Sequence, residues 1–307
     1  MRATLLLPAL AAGLITLPAC DLVDWGDVER FTRDFHESHP MNADGRFTLE
    51  TFNGSVEISG WDQNTVDISY TKYGPTQSAA DHVRVNIDHR PDSVAIRAER
   101  PFDRRNEGVR FVIKVPHGAR VERVISSNGG VRVTESAGPA RVKSTNGTVH
   151  IEEFKGNLDV ETSNGRVELV NVSGDVVAHT TNGRIEVEGG VGSLDATTSN
   201  GAIRGQVSRS SRDVRAQTSN GPIELTLPAD FAADLHAHTS NGSITLHLPN
   251  STNAHVSAHT SNSSITSEFE IRAQGELSKH QLDGVIGAGG PLYDLSTSNG
   301  GIKLLRM

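Results

Sequence analysis

The sequence predicts an all-β protein whose body is a β-solenoid, and three observations support this prediction. A Ser/Thr-Asn-Gly tripeptide recurs at nearly fixed spacing along most of the chain. Apolar and polar residues alternate with a period of two on both sides of each copy, which is typical of half-buried strands. No window shows a sustained period of 3.6 residues, so long amphipathic helices are not expected.

The N-terminal segment has the features of a secretion and membrane-anchoring signal. Residues 1–19 are typical of a secretory signal, with an apolar run from Ala3 to Ile15 that is too short to span a bilayer. The segment Leu17-Pro18-Ala19-Cys20 resembles a bacterial lipoprotein lipobox, with Cys20, the only cysteine of the chain, as the acylated residue. We therefore expect a lipid anchor at Cys20 and a polar tether over residues 20–45. An ordinary signal peptide cut near Ala19 is the alternative.

Residues 46–118 contain strand-like runs separated by turns rich in Gly, Pro and Asp. We expect them to form an irregular N-terminal β cap, because an open solenoid edge would invite aggregation. Phe52-Asn53-Gly54 is an isolated early copy of the repeat within this cap.

Residues 119–307 carry the regular repeats. The residue two before each asparagine is Ser or Thr, the residue four before it is apolar, and the residue three after it is Val or Ile. The first five asparagines are 18 residues apart, the next spacings are 20, 21 and 21, and the last is 37. The predicted corner asparagines are Asn128, Asn146, Asn164, Asn182, Asn200, Asn220, Asn241, Asn262 and Asn299.

Two arrangements fit this pattern. Asn-Gly between alternating strands is a hairpin signal, so a meander of antiparallel hairpins is one of them. The other is a solenoid of 18–21-residue coils, which we favour because identical corners are needed only where each lies over the next. Asparagines stacked ~4.8 Å apart can form a hydrogen-bonded ladder, and the neighbouring glycine would supply a positive φ.

We expect the final repeat, ending at Leu304 and Leu305, to form the C-terminal edge, after an irregular insertion at 268–294.

These motifs resemble the bacterial putative-adhesin family, a domain family of unknown function made of β-strand-repeat envelope proteins. The resemblance covers about residues 46–307. It rests on the repeats, on Phe52 to Asp62 and on Gly287-Ala288-Gly289-Gly290-Pro291. The resemblance implies a single-stranded, right-handed β-helix-like solenoid and a role in the cell envelope, either adhesion or scaffolding. A weaker implication is a part in envelope-stress signalling.

The search for reactive groups gives no catalytic residue. The outward acidic residues Glu161, Glu168, Glu186 and Glu224 alternate with basic residues one coil away, which is typical of solvated cross-strand pairs. A polysaccharide-active enzyme would need a cluster of Asp, Glu and Arg beside a groove. His238 and His259 occupy the same outward position in consecutive repeats, so they form a weak candidate metal pair, but no third ligand is evident in register.

Composition narrows the class of function. The formal net charge of -8 and the lack of a long basic run argue against a nucleic-acid partner. One cysteine excludes an intramolecular disulfide framework. We expect a non-enzymatic envelope lipoprotein without a cofactor, held to a membrane by its lipid, whose ligand is an envelope protein or a glycan.

Overall fold

The computed structural model describes residues 31–99, 106–209 and 212–307, and these residues form 27 strands of one continuous sheet and one short helix. The prediction of an all-β fold is therefore confirmed. The N-terminal elements are β1 (Phe31–Pro40), β2 (Arg46–Glu50), β3 (Val56–Trp61), β4 (Thr65–Gly74), α1 (Gln77–His82), β5 (Arg84–Arg90), β6 (Ser93–Glu99) and β7 (Gly108–Pro116).

Pairs of short strands follow, one pair for each repeat. They are β8 (Arg120–Ser126), β9 (Val131–Ala137), β10 (Ala140–Ser144), β11 (Val149–Lys155), β12 (Leu158–Thr162), β13 (Val167–Ser173), β14 (Asp175–Thr180), β15 (Ile185–Gly190), β16 (Ser193–Thr198), β17 (Ile203–Arg209), β18 (Val214–Thr218), β19 (Ile223–Thr226), β20 (Leu235–Thr239) and β21 (Ile244–Leu248). The C-terminal strands are β22 (Ala254–Thr260), β23 (Ile265–Ser267), β24 (Ile271–Leu277), β25 (Gln281–Ile286), β26 (Leu292–Thr297) and β27 (Ile302–Arg306).

The repeats stack as a solenoid and not as a meander of hairpins. The strand before each Asn-Gly corner pairs in parallel with the same strand of the coils on either side, as β10 does with β8 and β12. The strand after each corner does likewise, as β11 does with β9 and β13. The fold consists of two columns of parallel strands joined at the corners, the first formed by strands that precede a corner and the second by strands that follow one.

The core consists of rows of like residues between the two columns. Because neighbouring strands pair in register, Val142 lies against Val160, and Val160 against Ala178. In the second column Val149 and Val167 pair in the same way. All five side chains are buried. Each row shields the next from water, which explains how a chain with few aromatic residues builds a continuous core.

The solenoid begins earlier in the chain than expected. Strands β2 and β3 pair in parallel with β8 and β9, and Asn53 bridges to Asn128, so residues 46–61 form the first coil and not part of the cap. The cap consists of β5 and β6 beside β2, and of β1, β4 and β7 beside β3. The predicted tether is wrong over residues 31–40, because these pair with β4 along their whole length.

The C-terminal coils do not stack in chain order. Strand β26 lies between β20 and β22, and β27 lies between β21 and β23. The final repeat is therefore an interior coil, and the prediction that it forms the edge is wrong. The end of the first column is covered instead by β25, which pairs antiparallel with β22 and with β24. Strands β24 and β25 both lie within the insertion expected to be irregular.

Helix α1 is six residues long, with Thr76 as its N-cap. In the part of the chain that the structure describes, no helix has the length and apolar character needed to cross a bilayer.

Candidate functional site

The corner asparagines form a hydrogen-bonded ladder along the whole solenoid. Each side-chain amide nitrogen donates to the side-chain oxygen of the asparagine in the coil below, at 2.6–2.8 Å. In order along the stack the ladder contains Asn53, Asn128, Asn146, Asn164, Asn182, Asn200, Asn220, Asn241, Asn299 and Asn262. The structure thus brings together all nine asparagines singled out in the sequence and adds Asn53, whose amide donates to the backbone carbonyl of Glu107.

A second ladder lies just inside the corner and involves the Ser/Thr residues two before the asparagines. Eight of these hydroxyls are buried and donate at 2.8–3.1 Å to the carbonyl of the corner glycine in the coil below. The ninth, that of Ser126, is buried without a hydrogen-bond partner among the described residues. The donors are Ser144, Thr162, Thr180, Thr198, Thr218, Thr239, Thr297 and Thr260. A buried hydroxyl without such an acceptor would destabilise the fold, so the Ser/Thr preference has a structural cause.

The corner glycines are required for a reason other than the one expected. Among them only Gly54 has a positive φ, of 113°. At Gly147 an added Cβ would overlap the carbonyl of Gly129, and at Gly183 it would overlap that of Gly165. Close stacking of backbone on backbone, and not left-handed geometry, therefore excludes larger residues here. In the early coils a positive φ occurs instead at the turn that follows the strand of the second column, for example 117° at Gly138, directly after β9.

The outward side of the second column carries a groove of about 380 Å³, the charged groove, lined by His150, Glu168, Glu186, Arg204 and Glu224. Arg204 contacts both Glu186, at 3.9 Å, and Glu224, at 3.4 Å. Glu168 accepts a hydrogen bond of 2.8 Å from Arg166 and lies 3.0 Å from His150. Glu161, Glu186 and Glu224 contact a Lys or Arg of a neighbouring coil, as predicted. Glu168 differs, because the arginine that it contacts, Arg166, lies in its own coil.

These contacts stabilise the charged forms. The hydrogen bond from Arg166, with a smaller effect from His150, lowers the pKa of Glu168, and the same bond raises the pKa of Arg166. On the other column, Lys143 donates a 2.7 Å hydrogen bond to Glu161 and lowers its pKa. Glu168 and Glu161 are therefore ionised at neutral pH and are poor proton donors.

The outward side of the first column becomes rich in hydroxyl groups toward the C-terminal end. A groove of about 520 Å³ runs there, the hydroxyl groove, and it spans the five coils from β16 to β22. Its outward-facing residues are Thr197, Gln217, His238, Ser296 and His259, beside the corner serines Ser199, Ser219, Ser240, Ser298 and Ser261. The lining offers hydrogen-bond donors and acceptors but, apart from the histidines, no titratable group.

The predicted metal pair His238 and His259 is not a pair of neighbours. Strand β26 lies between their strands and places Ser296 in register between them. The same insertion brings Asp294 beside His236, so a carboxylate does lie in register with a histidine, contrary to expectation. His236, His238 and Asp294 each present one potential ligand atom, and these atoms lie within 4.8 Å of one another. Sequence spacing concealed this cluster because 55 or more residues separate Asp294 from both histidines.

Cys20, the predicted lipidation site, and the predicted signal peptide lie outside the described residues.

No curated protein shows significant similarity to the chain. Solved structures that resemble it at low identity include the following three. A putative cell adhesion protein from Clostridium sporogenes is 9% identical, with a TM-score of 0.22, and covers 90% of this chain and 100% of its own. A putative adhesin from Bacteroides fragilis is 11% identical, with a TM-score of 0.34, and the match covers 89% of this chain and 97% of the adhesin. A putative adhesin from Parabacteroides merdae is 9% identical, with a TM-score of 0.32, and the match covers 89% of this chain and 96% of that adhesin.

A family model described as Toastrack DUF4097 matches residues 55–243 and 231–305, which together span most of the solenoid and part of the cap. The matched region includes the corner ladder from Asn128 onward and the inserted final coil. The chain therefore belongs to the Toastrack DUF4097 family.

Proposed function

We propose that the protein is a non-enzymatic lipoprotein of the bacterial cell envelope that acts in adhesin-like binding or scaffolding. The observation that supports this most is the hydroxyl groove, in which similar polar side chains recur across five successive coils. Repeated contacts of this kind suit a ligand that is itself repetitive, because many weak interactions then add together.

A glycan is the ligand that fits the hydroxyl groove best. Its walls present serine and threonine hydroxyls, the Gln217 amide and imidazole rings, which pair with sugar hydroxyls as both donors and acceptors. Among the described residues that line the groove there is no Lys, Arg, Asp or Glu, so the lining offers little to a strongly charged partner. The lipid at Cys20 would hold this surface close to the polysaccharides of the envelope.

Co-sedimentation of the protein with purified insoluble cell-wall polysaccharide tests this proposal. We expect the wild-type protein to bind, and we expect Gln217→Leu with Thr197→Val to weaken binding about tenfold or more. The matched control is Glu57→Gln, an exposed change on the opposite column in the first coil. If the protein stays in the supernatant, or if the groove variant and the control bind equally, the glycan assignment is wrong.

The charged groove favours a second candidate function, that of a polysaccharide-active enzyme. Four carboxylates, those of Glu168, Glu186, Glu188 and Glu224, and one arginine line this groove, which is the kind of cluster such enzymes need. Two features weaken this candidate: Glu168 has a lowered pKa, and Arg204 contacts both Glu186 and Glu224. A general acid of this reaction needs a raised pKa instead.

Release of reducing sugar ends from the same polysaccharide decides between the two functions. We expect none from the wild-type protein. Release that Glu186→Gln and Glu224→Gln each abolish, and that Glu57→Gln on the first coil leaves intact, would establish the enzymatic function instead.

A further inference from the structure

The cluster of His236, His238 and Asp294 has the dimensions of a metal site. One carboxylate oxygen of Asp294, Oδ2, lies 3.5 Å from His236 Nδ1 and 3.5 Å from His238 Nε2. A tetrahedral ion with bonds of 2.0–2.1 Å separates its ligand atoms by about 3.4 Å. The two nitrogen–oxygen distances therefore match two edges of a tetrahedral zinc site with little movement of the side chains.

The hydrogen bonding around His238 is consistent with metal binding in one of the two tautomers of this histidine. Its Nδ1 lies 2.6 Å from Ser296 Oγ. When Nδ1 carries the hydrogen and donates it to Ser296, the lone pair of Nε2 is directed toward the carboxylate of Asp294. Two lone pairs facing each other at 3.5 Å repel unless a proton or a metal ion lies between them. Ser296 would then fix the tautomer of a histidine ligand, as partners outside the first coordination sphere commonly do.

We propose that His236, His238 and Asp294 bind a divalent transition-metal ion of the Zn²⁺ class. Two imidazole nitrogens and one carboxylate oxygen supply three ligands, and solvent completes the fourth position. The three side chains are 27%, 33% and 37% exposed, so an ion has access without local unfolding.

Among the described residues, few other charged groups lie near the site. Arg215 lies in register on the far side of His236, but its side chain is exposed. Asp283 lies two strands beyond Asp294, next to Ser257, and it contacts His255 at 2.8 Å. Asp283 is therefore engaged elsewhere and is not a fourth ligand.

The ion would link two coils that are far apart in the sequence. His236 and His238 lie on β20, whereas Asp294 lies on β26, the strand inserted between β20 and β22. Metal binding would therefore hold the final coil in its interior position, and the folded protein should gain thermal stability from the ion.

Titration of Zn²⁺ into the full chain, prepared in detergent without a polyhistidine tag, tests the proposal by isothermal calorimetry. We expect one site per chain in the micromolar range or tighter, a higher melting temperature with Zn²⁺, and reversal by EDTA. Co²⁺ should give the strong visible absorption of a tetrahedral ion. His236→Gln, His238→Gln and Asp294→Asn should each weaken binding tenfold or more.

Two histidines of the same face provide matched controls. His255→Gln removes a histidine that contacts only one carboxylate in the described structure, and His259→Gln removes the other member of the pair suggested by the sequence. Both should bind Zn²⁺ like the wild type. If the wild type does not bind, or if the control changes cost as much affinity as changes in the cluster, the proposed site does not exist. Circular dichroism of each apo variant identifies any that fails to fold, and the remaining two cluster variants then decide.

Discussion

Asn262 donates a 2.8 Å hydrogen bond to Asn299, although Asn299 comes 37 residues later in the chain. Asn299 in turn donates to Asn241 at 2.6 Å, so the final repeat lies between two coils that precede it in the sequence. The hydroxyl ladder has the same order, since Thr297 donates to Gly242 and Thr260 donates to Gly300. The coil that closes the chain therefore fills an interior level of the stack.

The inserted coil should contribute strongly to stability. Leu304 on β27 is completely buried, so Leu304→Ala should lower the free energy of unfolding by about 2–5 kcal/mol. Leu305→Ala, on the next residue and the opposite side of the same strand, is the control and should cost much less. Chemical denaturation measures both. Equal small losses would indicate that β27 is a frayed edge strand.

Breaking the asparagine ladder in the middle of the stack should destabilise the solenoid. Asn182 donates to Asn164 and accepts from Asn200, so Asn182→Leu removes two hydrogen bonds and should cost roughly 1–3 kcal/mol. Asn262→Leu, at the end of the ladder, removes one such bond and should cost about half as much. Melting curves identical to the wild type for Asn182→Leu would show that the ladder adds no stability.

A methyl group at a corner glycine should separate the coils. At Gly183 the new Cβ would overlap the carbonyl of Gly165, so Gly183→Ala should destabilise the protein by about 1–3 kcal/mol or more. Gly130→Ala is the control, because its Cβ would lie 3.5 Å from the nearest atom, the carbonyl oxygen of Thr148. Thermal melting compares the two. Tolerance of alanine at Gly183 would contradict the close backbone stacking.

The lowered pKa of Glu168 makes stability depend on pH in the acid range. The interactions with Arg166 and His150 stabilise the folded protein above the ordinary glutamate pKa of 4.5. This contribution is lost as the pH falls from that value through the lower pKa of the folded state, because the protonated carboxyl no longer pairs with the cations. Its size should not exceed about 1 kcal/mol, as is usual for a solvent-accessible pair.

Glu168→Gln should therefore be less stable than the wild type at pH 7 and should lose less stability between pH 5 and pH 3. Glu57→Gln, an exposed change on the first coil, should follow the wild-type profile. Denaturation at a series of pH values measures the slopes. If the wild type and Glu168→Gln lose the same stability between pH 5 and pH 3, the ion pair of Glu168 is not the cause of the pH dependence.

The lipid anchor is tested at Cys20. Cys20→Ser should move the protein from the membrane fraction to the soluble fraction, because acyl chains contribute ~0.8 kcal/mol for each buried methylene and a serine accepts none by this route. Fractionation and metabolic labelling with a fatty acid measure the change. Unchanged membrane association together with unlabelled wild-type protein would contradict the lipobox.

The candidate sites differ in how far the sequence could reveal them. The nine corner asparagines were identifiable because each occupies the same place in the repeat. Asn53 shares the Asn-Gly signature but lies 75 residues before its partner Asn128, so spacing suggested an isolated copy. The cluster around Asp294 was hidden for a related reason. Regular spacing implies that consecutive repeats are neighbours, and the insertion of β26 breaks that rule.

The sequence by itself determined the all-β class, the position of every corner asparagine after residue 119 and which residues face the core, because strand alternation and corner chemistry are local properties of the chain. Only the tertiary structure decided the order of the coils, the strands that cover the ends of the stack and the proximity of His236 and His238 to Asp294. Every coil presents nearly the same edge of backbone groups and apolar rows, so one repeat can pair with many others. Which coils become neighbours therefore depends on pairings between residues far apart in the sequence, and these exist only in the folded chain.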